Sequence, residues 1–194
     1  DLHSFPTRRS SDLHIVFAST GRGRIEALLR TLDARVSAGT APDQEAPHES
    51  IAIGRGRVWV TRAGVHVDRM ASAWLIRRML DPEAKFRFVK GRSYRAQAGE
   101  LRFDMFDGEF THEGDRCTFE VLLERVEADA ALRAIAEIIH DLDLKDGKYG
   151  RPETAGIGQV LDGIARSASD DEERLRRSAE ILEELYRSFA RARR

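Results

Sequence analysis

Three short stretches of the chain carry the signature of strands. Arg57–Arg62 (RVWVTR) is rich in β-branched and aromatic residues, and Lys85–Lys90 (KFRFVK) and Leu101–Phe106 (LRFDMF) alternate apolar with polar positions. Between the first two, Asp68–Leu80 places Met70, Ala71, Trp74, Leu75, Met79 and Leu80 over most of a helical surface, which predicts a largely buried helix with Asp68 as its N-cap. Further helices are predicted over Thr118–Val126, capped by Asp115 or Thr118, and over Asp129–Leu142, where Ala131, Ile135, Ile138 and Leu142 share one stripe. Pro152 opens another helix at its first turn, carrying Ile157, Val160, Leu161 and Ile164. The last begins with Asp170, Asp171, Glu172 and Glu173 and ends with Arg191, Arg193 and Arg194, the charge order that complements a helix dipole. Its stripe of Leu175, Ala179, Leu182, Tyr186 and Phe189 predicts burial against the body of the domain or against a second copy of the chain in a homodimer.

These elements predict a helix-rich α+β fold: a small sheet of about three strands packed against several helices, with a long C-terminal helix. The helix over Asp68–Leu80 is expected to cover the sheet. Trp74, Leu75, Phe88, Phe103, Ile135 and Ile138 are the expected core.

The N-terminal part reads differently. Residues 1–13 (DLHSFPTRRSSDL) show no periodicity, and FPTRRSSDL resembles the translation of a common short-read sequencing adapter, so this stretch is set aside as a non-native scar. Residues 14–36 read as one strand and one helix, the remnant of an N-terminal domain, and residues 37–54 read as a linker of Ala, Gly, Pro, Glu and Asp. The main domain is expected over residues 55–194.

In 194 residues, 32 basic and 33 acidic side chains nearly cancel, so no whole-domain charge draws the chain to nucleic acid or an anionic membrane. No apolar run approaches the roughly 20 residues that a membrane-spanning helix needs. A single cysteine, Cys117, allows neither an internal disulfide nor a Cys-rich zinc site. Together these features predict a soluble, cytoplasmic protein without membrane contact, whose metal chemistry, if any, rests on histidine and carboxylate.

The histidines of the main body stand beside carboxylates: His66 with Asp68, His112 with Asp107, Glu109 and Glu113, and His140 with Asp141 and Asp143. Imidazole nitrogens and carboxylate oxygens form a ligand set for a divalent ion such as Zn, Mn or Fe, and the same pairs could move protons. The expected metal ligands are His66, Asp68, Glu109, His112 and His140, with Asp107 and Asp141 as candidate catalytic carboxylates. Against this, His140 shares a helix face with Arg133, Glu137 and Asp141, the ordinary pattern of a solvated surface, and His66 lies in a turn where it could simply bond backbone. Arg69, Arg77, Arg78 and Arg116 offer bidentate donors for a tetrahedral oxyanion, although each alone fits a solvated charged face. Cys117, near a helix start, is a candidate reactive thiol if the N-terminal field lowers its pKa, or else a small buried residue.

Two familiar motifs fail their context. Asp141–Gly147 has the outline of a calcium loop, but Lys145 stands at the third ligand position and Pro152 replaces the bidentate Glu. Gly54-Arg55-Gly56 leads into a strand rather than a helix, which excludes dinucleotide binding of the Rossmann type.

Three separated segments, Arg57–Leu80 (RVWVTRAGVHVDRMASAWLIRRML), Phe106–Glu120 (FDGEFTHEGDRCTFE) and Ile138–Pro152 (IIHDLDLKDGKYGRP), together resemble the C-terminal domain of chromate resistance protein B, over about residues 55–165. Members of that family are described as chromate-responsive regulators of a chromate efflux operon, often with an N-terminal domain proposed to bind DNA. The resemblance implies a domain that senses chromate, another oxyanion or a metal ion, with DNA contacted only through an N-terminal domain largely missing here. A metal-dependent redox or hydrolytic enzyme using the His and carboxylate residues is the alternative.

Overall fold

The structure, a computed structural model, describes residues 53–90 and 94–191. The expectations for residues 1–13 and 14–36 and for nearly all of the 37–54 linker lie outside the described residues.

β1 (Val58–Arg62) runs through the middle of a three-stranded sheet, between β2 (Lys85–Val89) and β3 (Glu100–Arg102). Both pairings are parallel, with Trp59 opposite Phe86 on one side and Leu101 on the other. A parallel pair needs a crossover, and α1 (Val67–Leu75), prolonged by a wider π-type turn over Ile76–Leu80, supplies it between β1 and β2. Trp59 is fully buried, its ring 6.3 Å from that of Phe103 and 5.5 Å from that of Phe110. Asp81, which ends the π turn, is also fully buried. It accepts hydrogen bonds from the Gly56 and Arg57 amides, the Trp59 indole and the Glu83 amide, fastening the start of β1 to the end of the crossover.

Two strand expectations change. β3 stops at Arg102 because the chain turns away: Phe103 bridges to Phe110, Asp104 and Asp107 take left-handed backbone conformations, and Phe106 stands 88% exposed. Phe88 is half-buried rather than core, since β2 is an edge strand.

The helices α2 (Thr118–Leu123), α3 (Ala130–Leu144), α4 (Thr154–Ser167) and α5 (Asp171–Arg191) follow. α2 is capped by Cys117 rather than by Asp115 or Thr118, and Glu120 closes the capping box. Asp129 caps α3, accepting from the Leu132 amide at 2.8 Å. α4 begins two residues after Pro152 and approaches α3 at Gly158, where a Cβ would fall 2.6 Å from Leu142 Cδ2 and would push that leucine's end aside. α1 packs against α5, α2 and α3, burying Met70, Trp74, Leu75 and, from α3, Ile135 and Ile138. α5 presents Leu175 and Leu182 to the interior, while Ala179, Tyr186 and Phe189 are only partly covered. The result is a helix-rich α+β domain with five helices among the described residues and a long C-terminal helix. None of the described helices is long and apolar enough to cross a membrane.

Candidate metal centre

Asp68 lies in the first turn of α1, but His66 takes the N-cap position and the Asp68 carboxylate serves another helix. Its Oδ2 accepts the Thr118 amide at 3.0 Å and its Oδ1 the Phe119 amide at 2.9 Å, with Ser72 Oγ donating from 3.4 Å. A buried carboxylate at those N–H groups satisfies α2's unpaired donors and complements its dipole.

His112, on the loop leading to α2, directs Nε2 into a ring of acids. Nε2 lies 3.3 Å from Asp68 Oδ2, 3.3 Å from Asp143 Oδ2 at the end of α3, and 3.7 Å from Asp104 Oδ1. A direct N–H···O bond usually settles near 2.9 Å, so the hydrogen bond between Nε2 and Asp68 Oδ2 is a long one. A separation of 3.3 Å is instead close to the edge, about 3.4 Å, between two ligands each near 2.1 Å from one tetrahedral ion. The donor atoms of Asp68, His112 and Asp143 all lie within 4.8 Å of one another.

The same carboxylates act on the charge of the imidazole. The Asp68 hydrogen bond, against the effect of burial and helped by Asp143 and Asp104, raises the His112 pKa above the ordinary imidazole value. Burial, then repulsion from Asp68, pushes the Asp104 carboxyl up, opposed by Arg69, Arg62 and His112. Arg69 binds Asp104 through Nε at 2.8 Å and donates to the Arg62 and Gly64 carbonyls.

His140 is fully buried, not on a solvated face. Its Nδ1 lies 2.8 Å from Glu120 Oε2 and its Nε2 3.2 Å from Asp146 Oδ2, and the Tyr149 ring meets it edge to face at 4.9 Å. Burial works against its charged form, yet Glu120 and Asp146 hold its pKa above the ordinary value. The loop after α3 wraps back over this helix end, a fold-back that helical periodicity does not register.

His66 pairs with half-buried Asp162 on α4, Nε2 to Oδ1 at 3.1 Å. The three histidines therefore face three separate sets of carboxylates, and no close donor group among the described residues includes His66. Glu109 is engaged by Arg102: its oxygens accept from the Arg102 guanidinium at 2.7 to 3.2 Å and from the Arg102 amide at 2.7 Å. Burial alone would raise the Glu109 carboxyl, but these bonds hold it below the usual range. Asp107 is exposed at the turn after β3, and Asp141 is buried with both oxygens accepting amides, from Tyr149 at 3.1 Å and Gly150 at 2.7 Å.

The four arginines do not converge. Arg69 serves Asp104, Arg77 stacks on Phe86, Arg78 binds Glu183 and stacks on Tyr186, and Arg116 binds Glu113 and Glu124. Cys117 also departs from the reactive-thiol expectation: burial first, then the charge of Asp68, drives its pKa far up rather than down. A thiol reagent such as DTNB should therefore leave Cys117 unmodified in native protein and titrate one thiol after denaturation. Stoichiometric reaction within minutes under native conditions would contradict its burial.

Asp104, Asp143, Glu120 and Asp146 complete these groups from other elements. Asp143 had a sequence signal beside His140, but it faces His112 instead.

The fold and these groups define an α+β domain with clustered imidazole and carboxylate donors. Residues 59–189 match the model of the ChrB C-terminal domain, and the chain belongs to that family. It is 37% identical over 138 residues to Protein ChrB of Cupriavidus metallidurans (strain ATCC 43123 / DSM 2839 / NBRC 102507 / CH34), a match covering 70% of this chain and 42% of that protein. The chain thus spans less than half the length of this relative. No solved structure matches. Family membership makes this a chromate-resistance-related protein.

Proposed function

We propose that the domain binds a divalent cation between Asp68, His112 and Asp143 and serves as the sensing part of a chromate-resistance regulator. The carrying observation is the position of His112 Nε2, 3.3 to 3.7 Å from one oxygen of each of three carboxylates. Of the two signals a sensor here could read, oxyanion or cation, the acids favour the cation. A dianion would be repelled by Asp68, Asp104 and Asp143, and the candidate arginines are already engaged, Arg69 by Asp104 itself. Nitrogen and oxygen donors without a thiolate suit Zn, Mn or Fe.

The ligands come from α1, the loop before α2 and the end of α3, so an ion here would tie three elements together. Asp68 also holds the N-terminus of α2, and occupancy is thereby coupled to that helix. A sensor needs such a difference between bound and free states. Transmission to DNA through an N-terminal segment is part of the same proposal.

Metal-stripped protein should gain thermal stability with Zn²⁺ or Mn²⁺, by about 2.7 kcal/mol at a hundredfold excess over the dissociation constant. His112→Ala should remain folded, because His112 is 30% exposed, and should lose the part of the gain that this site supplies. The gain should also shrink as pH falls through the raised His112 pKa, since a proton competes for the same lone pair. An equal gain in His112→Ala, or none in the parent chain, would refute the proposal.

A further inference from the structure

We infer that the C-terminal end of α3 forms a second, separate cation site from His140, Asp141 and Asp146, with Glu120 as the residue that positions the histidine. The inference does not depend on the His112 centre, with which it shares no ligand.

Glu120 holds His140 in place from the start of α2. Its Oε2 accepts the Cys117 amide at 2.9 Å and faces His140 Nδ1 at 2.8 Å. A carboxylate oxygen in that place requires a proton on Nδ1, which leaves the Nε2 lone pair of a neutral imidazole pointing outward. At 3.2 Å that lone pair meets Asp146 Oδ2, itself an acceptor. Two acceptors facing each other need a positive charge to join them, either a second proton on the ring or a metal ion. A proton would join only those two atoms, whereas a metal ion would also use the third donor, Asp141, which lies within reach of both.

The surroundings are built for the ion. The Tyr149 and Gly150 amides fix the Asp141 carboxylate, and Asp146 Oδ1 accepts the Lys148 amide, leaving Oδ2 directed at His140. The loop that brings these groups together turns on left-handed Lys145, Gly147 and Gly150. Lys148, the nearby cation, is engaged by Asp115 at 2.9 Å. The donor atoms of His140, Asp141 and Asp146 lie within 4.8 Å of one another, and Asp146 is 45% exposed, so an ion can reach the site from solvent. A carboxylate behind a ligating histidine is the arrangement that fixes the tautomer and raises ligand basicity at metal sites. One imidazole nitrogen and two carboxylates suit a divalent transition-metal ion.

Equilibrium dialysis of the full, metal-stripped chain against Zn²⁺, and separately Mn²⁺, with elemental analysis, tests this. Two equivalents are expected for the parent chain, one for Asp146→Asn and one for His112→Ala. Glu120→Gln keeps the capping box, because glutamine also closes it, and should weaken only the second site, by about 10- to 100-fold. Circular dichroism confirms folding of each variant. If Asp146→Asn binds as much as the parent with equal affinity, or the parent binds one equivalent that His112→Ala removes, the second site is refuted while the first stands. If Asp146→Asn loses one equivalent and His112→Ala loses none, the second site stands and the first falls.

Discussion

Removal of residues 170–194 should abolish cooperative unfolding of the domain. α5 buries Leu175 and Leu182 completely or nearly so, and each such side chain contributes roughly 1.5 to 3 kcal/mol by leaving water. The same helix supplies Tyr186, whose ring lies 6.2 Å from that of Trp74 and whose hydroxyl donates to Asp129 Oδ2 at 2.7 Å, and Glu183, which binds Arg78. Its first residue, Asp171, accepts the Gly64 and Val65 amides at 2.7 and 2.8 Å, securing the turn that leads into α1. Losing these together approaches the whole stability of a typical domain, about 5 to 15 kcal/mol. The truncated chain should aggregate or show no sigmoidal melt by circular dichroism. A melting temperature equal to that of the full chain would mean that α5 packs on nothing essential.

Asp81→Ala should be the most damaging single substitution in the sheet. It strands the buried Trp59 indole and the half-buried Gly56 and Arg57 amides, besides the Glu83 amide nearer solvent, and a buried donor left unpaired costs about 1 to 3 kcal/mol. A loss of at least 3 kcal/mol is expected by urea denaturation, while a loss below 1 kcal/mol would contradict the buried network. Burial alone would raise the Asp81 carboxyl, but the bonds from Gly56, Arg57, Trp59 and Glu83 outweigh it and hold its pKa below the usual value. The sign follows: its stabilisation is fully present above the unfolded value near 3.9 and is lost as pH falls through the lowered native value. The parent chain should therefore show an acid-induced stability loss in that window that Asp81→Ala lacks.

What could be read from the chain alone divides by range. Strands and helices follow from local periodicity, and Val58–Arg62, Lys85–Val89, the Trp74 face and the Leu175 and Leu182 stripe all lie where the alternation or the 3.6-residue repeat places them. Roles set by pairing between elements were not legible. Asp68 has the spacing of an N-cap for its own helix, yet its partners are amides some fifty residues on. His140 falls on the polar side of its helical wheel, yet the 145–150 loop covers it. Glu109 stands three residues from His112 in sequence, but a guanidinium seven residues back in the chain binds both its oxygens. Composition directed attention to histidine and carboxylate, and only the tertiary fold shows which histidine meets which acid.

The central claim is that His112 and two aspartates share one ion, and anomalous diffraction from crystals grown with Zn²⁺ or Mn²⁺ tests it most directly. The account predicts an anomalous peak about 2.0 to 2.2 Å from Asp68 Oδ2, His112 Nε2 and Asp143 Oδ2. A map with no peak among those three atoms, at metal concentrations that saturate the protein in solution, would contradict it.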